Sequence, residues 1–163
     1  MYQVEIEQTT LATPELLNHL FELNQAIPEF DNPYSLVEYQ LRLSNKPMLA
    51  LFIKVEGEVA GFKLGYEQTD DRFYSWLGGV LPEFRGLGLA QQLLQAQESW
   101  AKQQGYQHIE VKTLNHFSSM LKMLISNQYQ ITELKQDIDN PSFNKISLQK
   151  SLTSECKDQL KNK

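Results

Sequence analysis

An α/β (α+β) fold, with a mixed and mostly antiparallel central sheet of about six or seven strands flanked by about four helices, is predicted by three features of the sequence. Tyr2, Val4 and Ile6 alternate with polar residues in "YQVEIE", and strand-forming residues dominate "MLALFIKV", "VAGFKLGYE" and "RFYSWLGGV". From Leu87 the period changes to 3.6, with Leu87, Ala90, Leu93, Leu94, Trp100 and Ala101 recurring at helical spacing. Strand-like and helix-like stretches then interleave to the end of the chain, which is how layered folds are written.

Each element follows in order. "YQVEIE" reads as a half-buried first strand. Thr13 then Pro14 reads as an N-cap and first helical residue, and Leu16, Leu17, Leu20, Phe21 and Leu23 give that helix an apolar face until Pro28. Ser35 and Glu38 form a capping box ahead of Leu36, Tyr39, Leu41 and Leu43, predicting a second short helix after the loop "IPEFDNPYS". Three antiparallel strands follow, the first two joined at Glu56-Gly57 and the third preceded by the polar "QTDD". The long helix from Leu87 is ended by Gly105. "HIEVKT" is a strand, Phe117, Met120, Leu121, Leu124 and Ile125 mark a helix stopped near Asn127, and "YQITEL" and "FNKISLQ" are the last two strands. Residues 1–150 are expected to form one domain, with 151–163 a charged tail in which Leu152, Cys156 and Leu160 recur at helical spacing.

Composition removes several function classes. The 163 residues are 41% hydrophobic and 21% charged, with 15 basic against 20 acidic residues, so the net charge is −5. Basic residues are scattered, which disfavours nucleic acid as a partner because phosphate neutralisation needs clustered positive charge. No stretch approaches the roughly 20 apolar residues of a membrane helix, and "MYQVEIEQTT" lacks the layout of a signal peptide. A cytoplasmic protein with no membrane partner is expected. One cysteine, Cys156, and three histidines without ligand spacing, His19, His108 and His116, make a bound metal improbable.

The stretch "VLPEFRGLGLAQQLL" carries the chemistry. Gly86 and Gly88 stand between a strand and a helix, where the first helical N–H groups have no internal partner and carry the positive end of the helix dipole. Glycines there let phosphate oxygens approach, and Arg85 can add a charge-assisted contact. A structural turn with a surface arginine is the alternative. The residue three after Gly88 is Gln91, so a dinucleotide fingerprint fails, and the chain contains no Gly-Lys-Ser/Thr for a P-loop.

Arg85-x-x-Gly88-x-Ala90, preceded by Val80-x-Pro82, resembles the acyl-CoA signature of the GNAT superfamily of N-acetyltransferases, (Gln/Arg)-x-x-Gly-x-(Gly/Ala). The element order above is the GNAT order over about residues 1 to 150. "SWLGGVLPEFRGLGLAQQLLQAQESWAKQQGY" and "NHFSSMLKMLISNQY" are similar to the central segments of bacterial members.

The resemblance implies acetyl-CoA as cosubstrate, with its pyrophosphate on Arg85, Gly86, Leu87, Gly88, Leu89 and Ala90, and with Val80 and Leu81 beside the rest of the molecule. It implies a pantetheine arm along the fourth strand, which suits Gly78-Gly79, since paired glycines in a strand mark a bulge or a close approach. A kink that curves the sheet is the other reading. The backbone N–H of Val80 would polarise the thioester carbonyl, with no covalent enzyme intermediate. Asn115 matches an asparagine that often helps hold the cofactor, and is also an ordinary N-cap. The tyrosine that many members use as general acid is replaced by Leu124, better read as core, and the usual Gly-Phe that follows is Gln128-Tyr129.

For the acceptor, Glu67, placed at the end of the third strand, is the candidate base, facing Tyr74 or Trp76. Glu29, Phe30, Tyr74 and Trp76 are the candidate acceptor wall, with an exposed charge and a core anchor as the plain alternatives for Glu29 and Phe30. Glu29, Asp31, Glu38, Glu67, Asp70 and Asp71 favour a cationic acceptor. The leading expectation is transfer of an acetyl group to a primary amine of a small molecule or peptide. A GNAT-fold module that binds acyl-CoA without transfer, and a scaffold using a sheet edge, are the alternatives, and a homodimer is left open.

Overall fold

A computed structural model describes residues 2–30 and 34–153. Asp31, Cys156 and Leu160, and with them the 154–163 part of the expected tail, lie outside the described residues. Seven strands and four helices run in the order β1 (Val4–Thr9), α1 (Pro14–Ala26), α2 (Leu36–Leu43), β2 (Met48–Val55), β3 (Glu58–Thr69), β4 (Arg72–Val80), α3 (Leu89–Gln103), β5 (His108–Leu114), α4 (Ser118–Ser126), β6 (Gln130–Lys135) and β7 (Lys145–Ser151). The sheet order is β1-β2-β3-β4-β5-β7-β6, with β4 and β5 parallel and the β1–β2, β2–β3, β5–β7 and β6–β7 pairs antiparallel. The predicted mixed α/β architecture is the observed one. Among the described residues no helix is long and apolar enough to cross a membrane.

The chain divides into two compact units, Met1–Glu67 with Trp76–Gln97, and Gln68–Ser75 with Glu98–Lys163. In the first, β2 is buried along nearly its whole length, as a strand between two neighbours and under helices must be. Leu16, Leu17, Leu20 and Leu23 of α1 and Tyr39 and Leu43 of α2 supply the helical part of the core, each large side chain contributing roughly 1.5–3 kcal/mol. Thr13 Oγ1 accepts from the Leu16 N–H at 3.2 Å, and Pro14 is the first helical residue. Glu56 and Gly57 both have positive φ, 51° and 83°, the geometry of the tight hairpin turn joining β2 to β3.

In the second unit, Phe73 packs against Trp100 and Tyr106, and Ile109, Val111, Leu124, Ile146 and Leu148 are buried. Gly105 has φ 94°, and the bonds from its N–H to Lys102 O and from Tyr106 N–H to Ala101 O close α3 as the glycine predicted. Helix α4 ends the same way, through Gln128 N–H to Ile125 O and Tyr129 N–H to Leu124 O, but the left-handed residue is Gln128, at φ 67°. A side chain there is strained. Gln128→Gly is therefore expected to stabilise the protein by about 0.5–1 kcal/mol, the relief of strain exceeding the added freedom of the unfolded chain. A melting temperature raised by roughly 1–4 °C in calorimetry checks it.

Three expectations are corrected. β1 forms and pairs in register with β2, Val4 opposite Val55, but Tyr2, Val4 and Ile6 are exposed, and β1, the edge strand, is exposed along nearly its whole length. Ser35 Oγ accepts from the Glu38 N–H at 3.2 Å, yet the Glu38 carboxylate turns to Arg42 Nε at 2.8 Å in place of closing the capping box. Helix α3 begins at Leu89, not Leu87: Gly88 sits at φ 77°, outside helical geometry, so Leu87 precedes the helix and is exposed while Leu89 is buried.

Candidate active site

The turn between β4 and α3 is built by its backbone. Pro82–Phe84 makes one tight helical turn, Arg85 is extended, and Gly86 and Gly88 lie at φ 84° and 77°. Such angles favour glycine, and an added Cβ at either position would meet no atom within 4 Å. Space lies open above both glycines. Gln92 N–H donates to Gly88 O at 3.3 Å, so the N–H groups of Leu89 and Ala90 belong to the first turn of a 15-residue helix. Approachable backbone at the head of a long helix suits a phosphorylated ligand.

β4 delivers a second backbone group. Leu81 N–H donates to Ala60 O on β3 at 2.8 Å, so the amide of this expected cofactor-binding residue is engaged in the sheet. Successive residues of a strand face opposite edges, so Val80 turns its N–H away from β3.

Arg85 is engaged by the protein itself. Its Nη1 and Nη2 donate to the two Glu29 carboxylate oxygens, each at 2.7 Å, and its Nε donates to Val80 O at 3.2 Å. The Arg85 hydrogen bonds hold the Glu29 carboxyl below the usual carboxylate range, and Glu29 in turn raises the arginine. Both side chains are about two-fifths exposed, so the pair contributes no more than ~1 kcal/mol to stability. Beside it, a Cβ on Gly79 would lie 2.6 Å from Ile27 Cδ1 and 3.6 Å from Phe30 Cε2. The close approach at Gly79 is thus made by the 27–30 segment, and Gly78 faces the stem of Lys63.

The remaining predicted residues divide between the two units. Trp76, expected as an acceptor wall, is 7% exposed inside a cluster formed by Tyr34, Tyr39 and Tyr66, with ring centroids 4.9, 5.4 and 5.8 Å away. The Arg42 guanidinium lies 4.6 Å from the Trp76 ring and donates to Tyr66 Oη at 3.2 Å. Trp76 Nε1 and Tyr39 Oη are buried with no hydrogen-bond partner among the described residues, and burial pushes the Tyr39 phenol up. Glu67 is half-buried and donates its backbone N–H to Pro47 O at 2.9 Å; it lies within β3, which runs on to Thr69, not at the strand's end. Tyr74 belongs to the second unit, buried, with Lys112 Nζ 5.7 Å from its ring. Asn115, also there, is not the N-cap of α4, a position held by Phe117; its amide donates to Pro141 O and its backbone N–H to Asn144 O.

Leu124 is fully buried, in keeping with its reading as core. Nor is the neighbouring phenol a ready acid. Tyr129 Oη donates to Glu98 at 2.9 Å, Glu98 also accepts from Lys150 at 2.7 Å, and burial with the Glu98 charge pushes the phenol far up. Sequence spacing missed this network, since its members are 31 and 52 residues apart. It also missed Arg42, although Glu38 four residues earlier was a legible helical ion pair. Among the described residues no group of three His, Cys, Asp or Glu is placed to hold a metal ion.

A mixed sheet whose central strand leads through an open glycine turn into a long helix defines an α/β protein with room for a ligand at the head of that helix. Residues 15–122 match the model of the acetyltransferase (GNAT) family, and the chain belongs to that family. No curated protein matches it. Among solved structures it is similar to the ribosomal-protein-S18-alanine N-acetyltransferase of Escherichia coli, with TM-score 0.77 at 13% identity over 91% of this chain and 95% of that one. A GNAT family acetyltransferase from Elizabethkingia anophelis with acetyl-CoA bound gives 0.67 at 18% identity, over 91% and 97%. The putative acetyltransferase yncA from Salmonella typhimurium, solved with acetyl-CoA, gives 0.69 at 16%, over 91% and 95%. At these identities the likeness is one of fold.

Proposed function

We propose that this chain transfers the acetyl group of acetyl-CoA to a primary amine by direct attack in a ternary complex. The observation that carries the reading is the open turn at Gly86 and Gly88 ahead of α3, in a member of the GNAT family. Two structural relatives of similar fold were solved with acetyl-CoA, and the Escherichia coli relative is named for acetylating an alanine of a protein.

The backbone of Gly86, Leu87, Gly88, Leu89 and Ala90 holds the pyrophosphate, with no Cβ in the way at the two glycines. The pantetheine arm follows β4 toward Val80. Bound acetyl-CoA supplies an activated thioester carbonyl. The Val80 N–H, directed away from β3, donates to the carbonyl oxygen as negative charge develops on it. An alkyl amine has a pKa of about 10.4 and arrives protonated, so a proton must leave before attack. Glu67, acting through water, is the candidate to take it. The N–C bond then forms, the C–S bond breaks, the new amide nitrogen gives its second proton to solvent, and the departing thiolate takes one from solvent.

A non-catalytic acyl-CoA-binding module is the second reading, favoured by Leu124 at the position of the usual acid. Release of free thiol from acetyl-CoA, measured over spermidine, kanamycin and a tripeptide with a free amino end, separates the two. Amine-dependent release supports transfer. A melting temperature raised by acetyl-CoA with no release from any amine supports the module, and no response of either kind sinks both.

A further inference from the structure

We infer that Arg85 is the clamp that seats the 27–30 segment on the end of β4, and is not a ligand of the pyrophosphate. Its consequence for the acceptor rests on the transferase reading above; the clamp itself rests on geometry alone. A guanidinium grips a carboxylate or a phosphate through the same fork of two parallel N–H groups. In Arg85 that fork is filled by Glu29, with both contacts at 2.7 Å, while the remaining nitrogen is fixed to Val80 O at 3.2 Å. Turning the fork to a phosphate would mean abandoning Glu29.

The segment is held a second way, independent of charge. Ile27 and Phe30 lie over Gly79, so closely that a Cβ there would come within 2.6 Å of Ile27 Cδ1. Phe30 N–H closes the segment on itself, donating to Ile27 O at 3.2 Å. An apolar contact on Gly79 and an ionic one on Arg85 together fix Glu29 and Phe30 beside Val80, the residue proposed to polarise the thioester. Arg85 is therefore a positioning residue for the acceptor side. The glycine turn two residues on offers backbone that can hold an anion without it.

The test uses the full chain as Arg85→Ala, Glu29→Gln, the double variant, Arg85→Lys and Gly88→Asp. Without ligand, amide hydrogen exchange at Phe30 is expected to quicken by up to about fivefold in each of the first two, and no further in the double variant, because both break one interaction. In calorimetry, acetyl-CoA affinity is expected to stay within about threefold of wild type in those variants and to be lost in Gly88→Asp. For an amine that turns over, Arg85→Ala and Glu29→Gln raise the amine KM and leave the acetyl-CoA KM in place. Arg85→Lys does not rescue, since one ammonium cannot hold both carboxylate oxygens and the Val80 carbonyl. A loss of acetyl-CoA affinity of about tenfold or more in Arg85→Ala, with tighter binding in Glu29→Gln, overturns the inference and makes Glu29 a competitor of the pyrophosphate. Unchanged exchange in both single variants also overturns it. Absence of any acetyl-CoA binding by wild type would instead sink the transferase reading, and the exchange arm would still decide the clamp.

Discussion

Gly88→Asp is expected to abolish the rise in melting temperature that acetyl-CoA gives the wild type. At a hundred times its Kd, a ligand binding only the folded state adds about 2.7 kcal/mol. For a protein of this length that is a shift of roughly 5–10 °C. The aspartate meets no protein atom, since nothing lies within 4 Å of its Cβ position. It does place a carboxylate where the backbone would receive phosphate, and like charges repel there. The backbone strain of a side chain at φ 77°, about 1 kcal/mol, lowers the apo melting temperature by a few degrees. That cost appears with and without ligand, so the ligand-dependent difference isolates the cradle. Gly88→Ala carries the strain without the charge and should keep part of the response. A full shift in Gly88→Asp would remove the glycine turn from the cofactor site.

What the sequence made legible was periodic or local. Helix ends at Thr13 and Gly105 and the turn at Glu56-Gly57 were written as single residues with one physical use each, and they appear where expected. Gly86 and Gly88 were legible as a bare turn ahead of a helix, and both lie at positive φ with open space above them. The partners of Arg85 were not legible: Glu29 is 56 residues away, and no spacing rule reaches that far. Trp76 misled for a related reason. An aromatic in a strand near a site reads equally as wall or core, and only the arrival of Tyr34, Tyr39 and Arg42 around it puts it in the core. Leu124 was the converse, an absence from a pattern that burial then explains.

The same limit hid the glycine whose substitution should damage the fold most. Gly61 sits inside β3 at an ordinary strand φ, so neither a turn nor a left-handed angle advertises it; an isolated glycine in a strand was its only signal. A Cβ there would stand 2.7 Å from Gly79 O and 3.3 Å from Val80 Cα. Both are backbone, so no rotamer relieves the clash and the end of β4 has to move. Gly61→Ala is expected to cost about 1–3 kcal/mol, or roughly 3–10 °C in melting temperature. Gly79→Ala should cost less, because its 2.6 Å neighbour is the movable end of Ile27. Gly57→Ala supplies the contrast: nothing lies within 4 Å of its Cβ, so it pays only for φ 83°, about 1 kcal/mol. The three also differ in function. Displacing β4 at Gly79 moves Val80 and strains the adjacent Leu81-to-Ala60 bond, so Gly61→Ala should blunt the acetyl-CoA response while Gly57→Ala leaves it whole. A Gly61→Ala protein that melts within a degree of wild type and responds fully would mean that β3 and the end of β4 are not held in the register that aims Val80.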